Sequence, residues 1–465
     1  MHRSLRRGVV PLLAAVLLAP AARAQEPLDV RYRDAANRLI QAALSDTFAY
    51  NRLALMVDRF GPRLSGSQAL ENTIDWALEE MRHDGLQNVR GEPVMVPHWV
   101  RGQESASLVL PRQVPLHMIG LGGSVGTPQG GITADVLVVG GAEELQAHAA
   151  EARGKIIVFD VPFTSYGETV VWRSRGAQLA ARVGGVASLI RSVSSFSMQN
   201  PHTGNMRYAD TTVARVPTAA VSVEDVMMMH RMQNRGEHLR VHLEMNAQML
   251  PDAPSRNVVA EIVGRERPDE VVVISGHLDS WDVGTGAMDD GGGAVAAWQA
   301  VRLMQRLGLH PRRTVRVILW TNEENGTRGG LGYRDAHRAD LDKHQLVIES
   351  DNGVFRPNGF RFQGSDAALA TMRQISRLLE PIQATKMDKG EGEADVGPMI
   401  ALGVPGLGLD VDGTRYFWYH HSSADTIDKL DPAEMNKCIA AMAVVAYVAA
   451  DMPETLPHEV PPAGR

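Results

Sequence analysis

From Ser255 onward the chain alternates between short apolar runs and amphipathic stretches, and few architectures accept that pattern. RNVVAEIVG, EVVVISGHLDS, TVRVILWTNEE and QLVIESDNG are rich in β-branched residues, whereas GGGAVAAWQAVRLMQRLG repeats its apolar positions at helical spacing. Strands that alternate with helices pair in parallel, because a helix returns the chain to the same edge. The pattern therefore predicts an α/β fold with a mostly parallel mixed sheet and helices on both faces. In open sheets of this kind, ligands gather beyond the carboxyl ends of the strands.

The chemistry-bearing residues fall at those ends. SGHLDSWDVGTGAMDDGGG, Ser275 to Gly293, sets a histidine and four aspartates directly after the run VVVI. Crowded carboxylates repel, and dry charge is very costly unless it is paired or neutralised, so something positive is expected among them. One strand ends in His277-Leu278-Asp279, with Asp289-Asp290 in the loop beyond it. The next ends in Glu323-Glu324, and a third in Glu349-Ser350-Asp351. Tyr419-His420-His421-Ser422-Ser423-Ala424-Asp425 follows late in the chain. Imidazole mixed with carboxylate suits a borderline or hard divalent ion, and the lack of thiolates argues against a cysteine-zinc structural site.

Spacing sorts some roles. His277 and Asp279 are two apart, so on a strand they face the same way. The histidine can bind metal while the aspartate takes its other ring proton or supports the site nearby. Glu323 and Glu324 are adjacent and tend to point oppositely, so one can ligate while the other reaches the attacking water. Three ligand carboxylates against two divalent ions leave about one positive charge, which a bridging hydroxide cancels; paired ions of this type stand roughly 3.5–4 Å apart. Taken singly, each residue has a plainer explanation: a solvated Glu-Glu turn, a structural histidine, or Asp-Asp-Gly-Gly-Gly as a loop or helix cap. Asp290, Trp281 and Asp282 are explained equally well by capping and packing.

The 465 residues suit two or three domains, and 44% hydrophobic with 22% charged residues is enough for a sizeable core. A net charge of -7 with no basic run beyond the N-terminus argues against a nucleic-acid binder. Residues 1–24 read as a signal peptide: Arg3, Arg6 and Arg7, an apolar stretch Val9 to Leu18, then Ala22-Arg23-Ala24 as a cleavage site. The expected location is secreted or periplasmic, with no membrane attachment after cleavage. Cys438 is the single cysteine and reads as a buried core residue, on a C-terminal helix whose apolar part is too short to span a bilayer. Helical patterns cover roughly Ser45 to Phe60 and Ser67 to His83, and Asn88 to Val100 reads as a strand with an edge-breaking proline. A glycine-rich junction after Gly120 opens a unit of short strands and helices over residues 123–245, within which Ser192 to Tyr208 reads as a mobile surface loop and Met227 to Met229 as core helix. The catalytic unit is expected over 25–122 and 246–455, followed by a polar tail over 456–465.

HLDSWDVGTGAMDDGGGA, LWTNEENG, ESDNG and YHHSSADT, in that order, closely resemble the co-catalytic zinc exopeptidases, the family of aminopeptidases and glutamate carboxypeptidases. The resemblance runs from about Asn51 to Asp451 and is densest after Ser255; the middle unit resembles, more weakly, the protease-associated insert of several such enzymes. It implies a zinc-exopeptidase fold and two zinc ions per subunit, with His277 and Asp351 on one, Glu324 and His421 on the other, and Asp289 bridging both. Glu323 is then the general base, with Asp279 and Asp425 supporting the ligands from behind. The family's last histidine stands in H-[ST]-x-x-D, which fits His421 rather than His420. His420 stands where many relatives carry tyrosine, and is the expected hydrogen-bond donor to the tetrahedral oxyanion. GEGEADVGPM, around Asp395, departs from the Ser-Asp-His motif of many aminopeptidases, which puts their substrate-pocket rules in doubt here. The implied protein is an exported, zinc-dependent metallo-exopeptidase, a homodimer acting on dipeptides or short peptides through metal-activated hydroxide. Two other readings stay open: a broader aminopeptidase, and a receptor-like binding protein that has lost catalysis on the same fold.

Overall fold

The structure, a computed structural model, describes residues 26–460. The signal peptide read over residues 1–24 lies outside the described residues. A mixed sheet of eight strands runs in the order Gln87–Val100, Gln248–Ile262, Arg313–Trp320, Arg267–His277, His344–Glu349, Gly406–Val411, Pro357–Gln363, Lys386–Lys389. Its four central strands, Arg313–Trp320 through Gly406–Val411, are mutually parallel, and the flanking pairs at Gln248–Ile262 and Pro357–Gln363 are antiparallel. Central strands buried on both faces need continuous apolar runs rather than alternation, which VVVI and VRVILW supply. Pro93 and Pro97 lie on Gln87–Val100, an edge strand, where a missing N–H does least harm.

Helices cover both faces. Gly292–Arg306 and Pro432–Asp451 pack together against the central strands. The latter runs 20 residues and by length and composition is apolar enough to cross a membrane, which corrects the shorter apolar stretch expected from sequence. Its apolar window is 83% buried inside the protein, so here it is the core helix, with Cys438 fully covered. Ser67 caps Gln68–His83 by accepting the Leu70 N–H, and Asp46 accepts the Ala49 N–H at the start of Phe48–Phe60. Before them, Arg33–Leu44 is a further helix that the sequence reading does not contain. Ala36, Leu39, Ile40 and Ala43 bury one stripe of it against Pro432–Asp451.

A second eight-stranded sheet is built from Val114–Leu116, Glu104–Leu110, Arg240–Met245, Ile132–Val139, Ile156–Phe159, Ala187–Arg191, Thr218–Val221 and Met118–Gly120, in that order. Three of these strands precede Gly123, because Glu104–Leu110 pairs antiparallel with Arg240–Met245 where the chain returns. Gln87–Val100 and Gln248–Ile262 form a long antiparallel ribbon, so the chain leaves and re-enters the first sheet along neighbouring strands. Met229 is buried as a core residue, while Met227 is exposed. Residues 456–460, the described part of the expected polar tail, dock on the first unit. Leu456 is buried, His458 Nε2 is 2.8 Å from the His344 carbonyl, and Glu459 N–H donates to Gly403 O.

Gly276 shows how tightly strand Arg267–His277 approaches the helix behind it. A Cβ there would stand 2.5 Å from Ala294 N and 2.6 Å from Asp290 Oδ2. Forcing a methyl group into such packing costs about 1–3 kcal/mol. Gly276→Ala is therefore expected to lower the unfolding free energy by about that amount in urea denaturation; an unchanged midpoint would refute the close approach.

Candidate metal centre

The chain steps from Arg267–His277 outward to Arg313–Trp320 on one side and to His344–Glu349 on the other. Loops leaving the carboxyl ends of these strands diverge, and a crevice opens at that switch point. His277 is the last residue of the central strand, Glu323 and Glu324 follow its neighbour on one side, and Asp351 follows its neighbour on the other. Asp289 returns to the crevice from the loop that precedes Gly292–Arg306. His420 and His421 arrive after Tyr416–Tyr419, beyond the fourth parallel strand.

These side chains converge. His277 Nε2 lies 3.2 Å from Asp289 Oδ1 and 3.2 Å from Asp351 Oδ1. His421 Nε2 lies 3.2 Å from Asp289 Oδ2 and 2.9 Å from Glu324 Oε2. Asp289 thus faces one histidine with each oxygen. His420 Nε2 is further off, 3.6 Å from Asp289 Oδ2. Its ring stacks on that of His421 with centroids 3.5 Å apart, while His421 holds a left-handed φ of 59°. That backbone region is sparsely populated for a residue with a side chain, and such conformations concentrate at functional sites.

The supporting residues act mainly through backbone N–H groups. His277 Nδ1 is 2.9 Å from the Asp279 backbone carbonyl, whereas the Asp279 carboxylate is 3.8 Å away. Asp279 instead accepts the Glu323 and Glu324 N–H groups at 3.0 and 3.3 Å, fixing the loop that carries them. Asp425 accepts from Met288 N at 2.7 Å and Asp289 N at 3.1 Å. Asp290 accepts from His277 N and Gly293 N, and its carboxylate lies within 4.8 Å of ligand atoms of His277 and Asp351. The Trp281 N–H donates to Glu324 Oε1 at 3.1 Å, and its ring lies 5.6 Å from that of His421. Asp282 pairs with Arg101. Glu324 is buried against His421 and Glu323 is partly exposed, so the two neighbours do part company.

Electrostatics say what the crevice lacks. Burial and then the neighbouring Asp351 push the Glu323 carboxyl up to about 8, and burial and then Asp289 push Asp425 up to about 7. Burial drives Glu324 and Asp290 well above the carboxylate range. Burial opposes charge on Asp289 too, yet contacts with His277 and His421 hold it well below its ordinary value. Burial disfavours a charged His277, but Asp351 and Asp289 outweigh it and raise the imidazole well above its ordinary value. Carboxylates that draw a proton onto a buried imidazole are short of positive charge. With Nδ1 donating to a carbonyl, the Nε2 lone pair faces two carboxylate oxygens, an arrangement that a cation between them satisfies. Nitrogen and oxygen ligands about 2.0–2.1 Å from a tetrahedral zinc stand about 3.3 Å apart, close to the spacings found here. Asp289 Oδ2 and Glu324 Oε2 are buried without a hydrogen-bond partner, so they are free to ligate. The donor set fits divalent metal.

The second sheet reaches this crevice, which the sequence reading missed. The segment after Ala187–Arg191, expected as a mobile surface loop, buries His202 and Thr203, and Thr203 N–H donates to His421 O at 2.8 Å. It is polar because its groups bond across to the first unit, Asn200 Nδ2 to Ser422 Oγ at 2.7 Å among them. Arg173, from helix Tyr166–Arg182, is buried with Nη1 3.4 Å from His421 Nδ1 and Nη2 donating to Tyr166 OH at 2.7 Å. Tyr166 in turn stacks on Phe417 and meets the His420 ring edge-on. No local sequence signal marks Arg173 or Thr203.

The model for Peptidase family M28 matches residues 257–446, the span that contains every candidate ligand. Carboxypeptidase Q of Mus musculus is 51% identical over 431 residues, covering 92% of this chain and 91% of that protein. Its Homo sapiens counterpart is 49% identical, covering 91% and 90%. The structure of a peptidase M28 precursor from Shewanella amazonensis gives a TM-score of 0.90 at 36% identity, covering 94% of this chain and all of that one. BSAP, a zinc aminopeptidase from Bacillus subtilis, gives 0.66 at 17% identity over 88% and 96%, a likeness of fold alone. The chain belongs to peptidase family M28, as a metallopeptidase similar over nine-tenths of its length to carboxypeptidase Q.

Proposed function

We propose that this protein is an exported exopeptidase that holds two zinc ions and hydrolyses dipeptides or short peptides. His277 and Asp351 would hold one ion, Glu324 and His421 the other, and Asp289 would serve both. The observation that carries the reading is the disposition of Asp289, each of whose oxygens faces a different histidine at 3.2 Å. Bound there, the ions would polarise a peptide carbonyl and lower the pKa of water from 15.7 toward about 7.

The chain's own groups then divide the work. Glu323, partly exposed beside the ligands, takes the proton from the attacking water and delivers it to the departing amine. Positive charge from bound cations acts on its carboxyl in the direction opposite to burial, and favours the ionised base. Burial holds the His420 imidazole well below its ordinary value, so it stays neutral and can donate a hydrogen bond to the tetrahedral oxygen. Asp279 and Asp425 keep the loops in place through the N–H groups they accept.

Two further groups support a substrate with both ends free. Arg173 lies on the His421 side with its buried Nε donor unpartnered, which suits a terminal carboxylate. Glu393, which accepts from Asn352 Nδ2 at 2.8 Å and pairs with Arg361, offers a carboxyl acceptor on the Asp351 side, which suits a terminal ammonium. A dipeptide presents both charges, whereas a broad aminopeptidase needs only the second. The unit that carries Arg173 and Thr203 fits the part of a protease-associated insert, closing the crevice on the His421 side. A homodimer belongs to the same reading, and exposed Met95, Val100 and Met249 on the paired ribbon offer it apolar surface.

Glu323→Gln is expected to lower kcat about 10²–10⁴-fold with bound metal unchanged, measured by single-turnover kinetics beside elemental analysis. Turnover near that of the unaltered protein would remove Glu323 as the base. Arg173→Met is expected to raise KM for free dipeptides about 10–100-fold, the worth of a charge-assisted hydrogen bond. Hydrolysis of the corresponding C-terminal amides should be slow in the unaltered protein and insensitive to the substitution. Equal losses on acid and amide would assign Arg173 to holding His421 instead.

A further inference from the structure

We infer that Arg63 is a positioning residue for the metal centre: it ties down both ends of the loop between His277 and Asp289, and supplies positive charge without occupying any ligand oxygen. The inference rests on the two-metal reading above.

Arg63 follows helix Phe48–Phe60 and is fully buried. Its guanidinium makes four hydrogen bonds, all to backbone carbonyls: Nε to Leu278 O at 2.8 Å, Nη1 to Gly61 O at 2.9 Å and Thr285 O at 2.6 Å, and Nη2 to Gly286 O at 2.9 Å. Its backbone joins the same loop, with Arg63 N donating to Ser280 Oγ at 3.0 Å and Ser280 N donating to Arg63 O at 3.2 Å. Leu278 is the residue after one metal ligand, and Gly286 lies three before another. One planar group therefore staples the loop where it leaves His277 and where it turns back toward Asp289. At that second point there is no room to spare. Gly286 has a φ of +56°, and a Cβ on it would stand 2.3 Å from Ser280 Cβ and 3.0 Å from Arg63 Nη2.

The choice of carbonyls as partners has an electrostatic consequence. Arginine ordinarily binds carboxylates two oxygens at a time, which here would take up the lone pairs a metal needs. Among the described residues, no ion pair involves Arg63. Its charge still acts on Asp425, Asp279, Glu324 and Asp290. Burial lowers the guanidinium only to about 10, so it stays charged at neutral pH. A neutral crosslink would hold the loop but leave those acids with one more unbalanced negative charge.

The test uses the full-length protein with Arg63→Lys and Arg63→Met. Circular dichroism and thermal melts first establish that each variant is folded at 25 °C. Zinc affinity is then measured by competition with a chromogenic chelator, and the absorption spectrum is recorded after Co²⁺ replaces Zn²⁺. Partners that orient metal ligands from behind are typically worth 10–100-fold in metal affinity. Arg63→Met is expected to weaken zinc by about that factor and to shift the Co²⁺ ligand-field bands, with Arg63→Lys between it and the unaltered protein. Should Arg63→Met fail to fold, the lysine variant decides. A lower Tm with unchanged zinc affinity and an unchanged Co²⁺ spectrum would reduce Arg63 to a structural crosslink and overturn the inference. Failure of the underlying reading is distinguishable, because it appears in the unaltered protein as less than two zinc ions bound.

Discussion

The structure turns on one electrostatic problem, a set of carboxylates packed into a largely dry crevice at the carboxyl edge of a parallel sheet. Asp279, Asp290, Glu349 and Asp395 are fully buried, and Asp289 and Glu324 nearly so. Placed that close, acids cannot all be charged unless something positive stands among them. Two of the histidines cannot fill that need, since burial pulls His420 and His421 toward the neutral form, and the charge that Asp351 and Asp289 draw onto His277 is a single one. Divalent metal bound among them would answer the repulsion and account for the 2.9–3.2 Å spacing of nitrogen and oxygen atoms together.

The fold resolves the rest of the repulsion by dividing the acids into two groups. Asp279, Asp290 and Asp425 each accept two backbone N–H groups, and so does one oxygen of Glu349, from Asp395 and Val396. Such bonds stabilise a carboxylate and fix the loop that donates them. Asp289, Asp351 and Glu324 instead present oxygens to imidazole. The two groups meet in Glu324, whose Oε1 accepts the Trp281 N–H while its Oε2 faces His421. The cleft is completed from the second unit, whose Thr203, on a loop, and Arg173, on a helix, both contact His421.

The alternation of strand and helix after Ser255 was readable because buried parallel strands and their covering helices leave strong, regular patterns. So was the cluster of His277, Asp289, Glu323, Glu324, Asp351, His420 and His421, because strand polarity puts consecutive strand ends on one edge. The helix Arg33–Leu44 carries an equally plain stripe at positions 36, 39, 40 and 43, and was available to the same method. Other features leave no such trace. Val114–Leu116 and Met118–Gly120 are strands of three residues, too short to leave a pattern, and the second pairs with Thr218–Val221, a hundred residues away. The docking of residues 456–460 depends largely on main-chain groups. The Arg63 guanidinium bonds only to carbonyls, which every residue possesses, so nothing in the identity of those partners points back to it. Arg173 reaches His421 across 248 residues of sequence, a separation that local spacing does not register.

The central claim is that two ions share Asp289. Crystals grown with zinc, with diffraction recorded on both sides of the zinc absorption edge, test it most directly. The account predicts two anomalous peaks roughly 3.5–4 Å apart, one beside His277 and Asp351 and one beside Glu324 and His421. A single peak at full occupancy, or none in protein that still hydrolyses peptides, would contradict it.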